Sequence, residues 1–253
     1  MDNRIRRYLE SKAGLSLEDF PLQGITVRES PKRTDEPRNR LLIQRIADRD
    51  GVLITAIPRV VEAIAPAAQS MTPWEIFSPL GAAEIKRVLG NKAEILDRFY
   101  IYGFDYILTN SRDFHPAETQ HTPVALTKKD IPPEQFDLRM SERRQPVSED
   151  FIWAFACYHS DPDVTATELA AFGLRCASIA IIIWKPGPVA TYGVWTEEAC
   201  RGQGYGLAAV SAATKWILEQ GAAALYGAYA NNIPSLRIAR RLGFALVHQE
   251  MGA

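Results

Sequence analysis

The 253-residue sequence predicts a mixed α/β fold of the α+β type, with helices flanking a sheet. Three observations carry that expectation. An apolar run ending in Val194-Trp195-Thr196 enters the glycine-rich segment Arg201-Gly202-Gln203-Gly204-Tyr205-Gly206, and a helix-forming run, Leu207 to Gln220, follows at once. A second strand-like run, Ala224 to Ala230, leads through Asn231-Asn232 into a short helix ending Leu242-Gly243-Phe244. Upstream, Ala177 to Trp184 and Val189 to Trp195 flank Lys185-Pro186-Gly187-Pro188, a turn signal that makes the pair a hairpin.

The earlier elements follow from pattern in order. Asp2 to Lys12 reads as a short charged helix, and Pro31 to Arg40 as an exposed polar loop. Leu41 to Ala47 and Val52 to Ile57 are strands separated by the hairpin-type signal Asp50-Gly51. Arg59 to Gln69 has apolar residues at Val60, Val61, Ile64 and Ala68 on a helical repeat, with Pro66 expected to end it early. Ala82 to Leu89 repeats the helical spacing before Gly90, and Phe99 to Leu108 reads as one or two strands. The apolar signal fades between Asn110 and Thr122, which sets a boundary between a mixed α/β domain, residues 1–119, and a second domain, residues 120–253. There, Pro123 to Thr127 reads as a strand, and Ile131 to Met140 and Ser148 to His159 as helices.

Composition narrows the class. Hydrophobic content of 47%, charged content of 23% and a net charge of −1 describe a globular chain with a real core. Nothing global points to nucleic acid or an anionic membrane. The three cysteines, Cys157, Cys176 and Cys200, have neither disulfide nor metal-knuckle spacing, so a reducing cytoplasm is the expected setting. Residues 1–7 lack the apolar core of a signal peptide. His115, His121, His159 and His248 have no ligand spacing, and no metal is expected.

The glycine-rich segment is where chemistry enters. A glycine turn between a strand and a helix start presents unpaired N–H groups and the positive end of a helix dipole, with no Cβ to block an anion. A pyrophosphate fits such a bowl. A dinucleotide loop would need a glycine where Leu207 stands, and a triphosphate loop needs Gly-Lys-Ser/Thr, which is absent. What remains is R-x-x-G-x-G. Taken with the later helix, where Asn232 suits a cap, Pro234 a first turn and Gly243 a stop, the series resembles the GNAT superfamily of acyl-CoA N-acyltransferases. The resemblance covers residues 120–253 and implies a mixed, splayed sheet flanked by helices. The first part is then a smaller α/β domain, either a divergent copy or an unrelated cap.

The resemblance implies acetyl-CoA or coenzyme A as acyl donor, with no metal. The cofactor-binding residues it implies are Val194, Trp195 and Thr196 along the strand, Arg201, Gly202, Gln203, Gly204, Tyr205 and Gly206 in the loop, and Asn232 and Ser235 near the last helix. Two departures matter. The family's thiolate-protonating tyrosine, seven positions after the asparagine, falls on Ala239, and the strand glutamate some members use as base falls on Ala190. Tyr229 and Ser235 are the substitutes, each with a structural alternative: core packing for Tyr229, helix capping for Ser235. Tyr192 could face either way, Glu197 and Glu198 could meet a cationic acceptor, and Cys200, beside the anion loop, could have a depressed pKa. Phe99 to Phe104 could line an acceptor pocket or a core.

Two functions compete on the sequence. One is an N-acetyltransferase acting by direct transfer on a small-molecule or peptide amine, with no nucleic-acid or membrane partner and with monomer and homodimer both compatible. The other is a catalytically silent CoA-binding or interaction module. A variant of the first uses larger acyl groups.

Overall fold

The computed structural model describes residues 1–36, 39–90, 103–127, 130, 152–158, 176–183 and 188–252. Its helices in chain order are α1 (Asn3–Ala13), α2 (Pro58–Gln69), α3 (Pro73–Ile76), α4 (Pro79–Leu89), α5 (Tyr205–Glu219) and α6 (Ile233–Arg241). Its strands are β1 (Ile25–Glu29), β2 (Leu41–Ile46), β3 (Val52–Ala56), β4 (Gly103–Leu108), β5 (Val124–Leu126), β6 (Ala154–Cys157), β7 (Ser178–Ile183), β8 (Val189–Thr196), β9 (Ala223–Tyr229) and β10 (Ala245–Gly252). Two compact units result. One comprises Met1–Tyr106, Gly227–Leu236 and Ala245–Ala253, the other Ile107–Tyr226 and Arg237–Phe244.

In the first unit β1 pairs parallel with β3, β3 antiparallel with β2, and β2 antiparallel with β10. Every residue of β2 and β3 is buried, because helices cover both faces. Ile43 and Ile54 pack with Ile64, Ile76, Ile85 and Leu89 beneath α2, α3 and α4. On the opposite face Ile46 and Leu53 meet Leu9 and Ala13 of α1. Asp2 caps α1 by accepting from the Arg4 N–H at 2.7 Å.

The second unit runs β9-β8-β7-β6-β5. Strands β5 to β8 are antiparallel, while β8 and β9 are parallel. Helix α5 packs on β6, β7 and β8 with residues such as Leu207, Val210, Ala213 and Ile217 buried. Tyr192 on β8 points to that helix, where its hydroxyl meets Thr214 Oγ1 at 3.1 Å. Tyr192, Tyr226 and Phe244 continue as edge-to-face ring pairs at 5.5 and 6.0 Å.

Several sequence expectations need correction. Helix α2 continues through Pro66. Proline forfeits one hydrogen bond late in the helix, and the buried stripe Val60, Ile64, Ala68 still holds it to the sheet. Residues 154–157, read as helix, form β6. All four are buried, so the run shows no period, and a short apolar run cannot be told from a helix by periodicity. Strands β1 and β10 and helix α3 were not legible as elements. Residues 99–102, 131–140 and 184–187 lie outside the described residues.

Candidate functional site

Between β8 and α5 the backbone makes two left-handed excursions, at Gly202 with φ +76° and Gly204 with φ +93°. Only glycine takes such angles without strain. A Cβ at Gly202 would meet nothing within 4 Å, so conformation, not crowding, selects glycine there. Gly204 is the N-cap of α5 and, being glycine, makes no side-chain cap hydrogen bond. The first helical bond runs from Ala208 N–H to the Gly204 carbonyl at 3.0 Å, and helix geometry leaves first-turn N–H groups, those of Gly206 and Leu207 among them, without intrahelical acceptors. Gly206 has a different reason: a Cβ there would lie 2.9 Å from Thr196 Oγ1, which itself pairs with Ser178 Oγ at 2.9 Å. The third glycine therefore lets the helix start sit directly on the strand.

Strand β8 is held unequally along its length. Its antiparallel register with β7 runs from Ile183↔Thr191 to Ser178↔Thr196, whereas its parallel register with β9 runs from Val189↔Ala223 to Thr191↔Leu225. The Glu197 N–H donates to Ala177 O, and Pro188 O accepts from the Ala223 N–H. Alternation along a strand then turns the main-chain groups of even-numbered residues toward β9. The N–H and C=O of Val194 consequently face the side on which the parallel ladder has ended. Thr196 O accepts from Arg201 Nε at 3.3 Å, folding the loop's arginine back on the strand end. The Trp195 ring lies across Gly193, where a Cβ would meet it at 2.6 Å.

A residue the sequence reading set aside stands over this loop. His121 Nε2 lies 2.8 Å from the Gln203 carbonyl, and the imidazole stacks on Tyr205 with centroids 3.7 Å apart and planes 23° apart. Its Cδ2 would be 3.7 Å from a Cβ at Gly204. The segment carrying it is tied to α5 by Ala117 N–H donating to Ser211 Oγ at 2.9 Å. Eighty-two positions separate His121 from Gln203, so no local spacing could have joined them.

The remaining nominated residues divide between the units. Val194, Trp195, Thr196 and Arg201 to Gly206 come together in the second unit, while Tyr229, Asn232 and Ser235 belong to the first. Tyr229 is 55% exposed, which removes the core-packing alternative. Asn232, not Ser235, supplies the cap of α6, its Oδ1 accepting from the Ser235 N–H at 3.2 Å. Ala190 and Ala239 are fully buried. Tyr192 is buried against α5 and burial holds its hydroxyl well above its ordinary pKa, so it is a packing residue. The Cys200 thiol is raised, by burial and by the Glu197 carboxylate, so the depression that its place beside the loop allowed does not occur. Burial likewise pushes Cys157 up to about 11 and, with Cys157 beside it, Cys176 up to about 12.

The first unit holds a buried polar cluster that spacing did not reveal. Asp105 Oδ2 accepts from Tyr8 Oη at 2.7 Å, Lys12 Nζ at 2.9 Å and His248 Nδ1 at 2.8 Å. Lys12 also lies 2.6 Å from Glu250 Oε2. Burial would raise the Asp105 carboxyl, but the His248 hydrogen bond and the Lys12 charge outweigh it and hold the group well below the usual carboxylate range. Asp105, His248 and Glu250 place ligand atoms within 4.8 Å of one another, yet the cation that serves both carboxylates is the Lys12 ammonium.

Comparison with known proteins gives a family. Residues 114–245 match the family model described as an acetyltransferase (GNAT) domain. Among solved structures, the chain is similar to a GNAT-family protein from Novosphingobium aromaticivorans at 19% identity and a TM-score of 0.41, covering 60% of this chain and 63% of that one. A GNAT-family acetyltransferase from Colwellia psychrerythraea matches at 14% identity and TM-score 0.42, over 65% and 61%. A GCN5-related N-acetyltransferase from Sphaerobacter thermophilus matches at 11% identity and TM-score 0.44, over 83% and 76%. The chain thus spans less than two thirds of the length of the first two. No curated protein matches.

Proposed function

Because the chain belongs to the GNAT acetyltransferase family, we propose that it is an N-acetyltransferase moving the acetyl group of acetyl-CoA directly to an amine. The acceptor class is a small molecule or peptide. The observation that carries the reading is the Arg201–Gly206 loop, with positive φ at Gly202 and Gly204 leading into an uncapped helix start. A pyrophosphate fits there because the N-cap of α5 is a glycine, which brings no side chain to cap the helix start. In this reading the main chain of Val194, Trp195 and Thr196 carries the pantetheine arm, and acetyl-CoA supplies the thioester.

Transfer forms a C–N bond and breaks a C–S bond, so the amine must lose a proton and the leaving thiolate must gain one. Tyr229 is the proposed acid, since its exposed phenol is the last residue of β9. No protein thiol takes part, consistent with three buried cysteines whose thiols are all raised. Asn232 and Ser235 stay within the proposal as the start of α6, and so do the division near residue 120, a cytoplasmic setting and a reaction without a metal. One observation favours the catalytically silent alternative: the two positions where the family often keeps its acid and base are alanines with no exposed surface.

Thiol release from acetyl-CoA across amines, amino acids, antibiotics and peptides separates the readings. Turnover with one class, falling about a hundredfold or more in Tyr229→Phe while acetyl-CoA affinity holds, is the expected result. Silence across the panel with CoA binding intact would leave the binding module, and a wild-type rate in Tyr229→Phe would assign the proton to solvent, to Ser235 or to the N-terminal half.

A further inference from the structure

We infer that His121 is a positioning residue that sets the anion loop in its binding conformation before any ligand arrives, an inference that rests on the CoA-binding reading above. The geometry has three parts. The carbonyl of Gln203 points at His121 Nε2, 2.8 Å away, and a carbonyl can only accept, so the imidazole carries a proton on that nitrogen and donates it. The peptide linking Gln203 to Gly204 is trans, as are all described peptides. In a trans peptide C=O and N–H point in opposite directions. Holding the Gln203 carbonyl toward His121 therefore turns the Gly204 N–H to the other side of the loop, leading the first-turn N–H groups of α5.

The second part is the ring. Stacking at 3.7 Å on Tyr205 fixes the imidazole plane over the residue that opens α5, so hydrogen bond and stack act on two consecutive stretches of the same loop. The third part is the mount. His121 N–H donates to Thr119 Oγ1 at 3.3 Å, Thr119 Oγ1 donates to His121 O at 3.2 Å, and Ala117 N–H is anchored to Ser211 on α5. His121 is held from outside the loop by a tight turn anchored to the helix that the loop starts. A glycine-rich loop left to itself samples both signs of φ, and fixing one peptide plane removes part of the ordering cost a ligand would otherwise meet.

The substitutions His121→Phe and His121→Gln separate the two contacts. Phenylalanine keeps a ring on Tyr205 and removes the donor; glutamine keeps a donor and removes the ring. Binding is measured by calorimetry with CoA, with ADP as a pyrophosphate probe, and with S-acetylpantetheine, which lacks phosphate. His121→Phe is expected to weaken CoA and ADP about threefold to tenfold, the worth of one hydrogen bond, and to leave S-acetylpantetheine unchanged. His121→Gln is expected to recover part of that loss. Wild-type affinity for CoA in His121→Phe would overturn the inference, as would an equal loss for all three probes, which marks general loosening. Failure of the wild-type chain itself to bind CoA would instead remove the reading beneath it.

Discussion

Both units contain a passage from a strand into a helix, and the two junctions are built differently. In the first, β3 ends at Ala56 and α2 begins at Pro58, with only Ile57 between them. Ile57 is buried, its N–H donates to Arg40 O at 3.1 Å, and Pro58 brings no N–H at all. An anion arriving there would meet an isoleucine side chain and one donor fewer. In the second, Glu197 to Gly204 intervene, and two of those residues take positive φ. A strand followed by a helix therefore does not make a phosphate site. The proposed site differs in having backbone that can turn its N–H groups to one side, a freedom that glycine at two positions supplies.

The largest expected effect breaks the second junction. Gly204→Val must place a β-branched residue at φ +93° beside His121, so the loop leaves its conformation. CoA affinity should fall beyond measurement, at least about a hundredfold or roughly 2.7 kcal/mol, while circular dichroism stays near wild type. Normal binding by this variant would put the phosphate site elsewhere.

A second change, read in folding stability rather than in affinity, sharpens the first unit's side of the contrast, where charge is used for holding. Lys12→Met leaves the buried Asp105 and the half-buried Glu250 carboxylates without their ammonium, and breaking a buried ion pair typically costs about 3–5 kcal/mol, an upper figure for this partly exposed set. The sign with pH follows from the depressed Asp105 carboxyl. Its contribution is present above the unfolded carboxylate range, near 3.9, and is lost as pH falls through the lower folded value. Chemical denaturation of the wild type should therefore show stability declining below about pH 4, and Asp105→Asn should flatten that decline. An unchanged slope in Asp105→Asn would assign the acid sensitivity to other carboxylates.

Where the sequence could be read and where it could not follows the same division. The loop and the elements around it were legible because each depends on neighbours in sequence: glycines before a helix, Asn232 three residues ahead of the Ser235 N–H it caps, Gly243 ending α6 at φ +89°. Strand β10 was not, because His248 and Glu250 lie within it and are tolerated through partners on α1, β2 and β4. Strand β6 was misread because burial on both faces erases the period. His121 went unread for the reason His248 did: its partners are distant in sequence. Tyr229 could be nominated from its place before Asn232, but its exposure could not be.

Thermal unfolding of the wild-type chain with and without CoA tests the phosphate-cradle reading most directly. A ligand at about a hundred times its dissociation constant adds about 2.7 kcal/mol to the folded state. For a domain of this size class that corresponds to a rise of about 5–10 °C in Tm. A rise of that order with millimolar CoA, absent in Gly204→Val, is the expected result. No shift in the wild type at millimolar CoA would contradict the assignment of the Arg201–Gly206 loop as a CoA site.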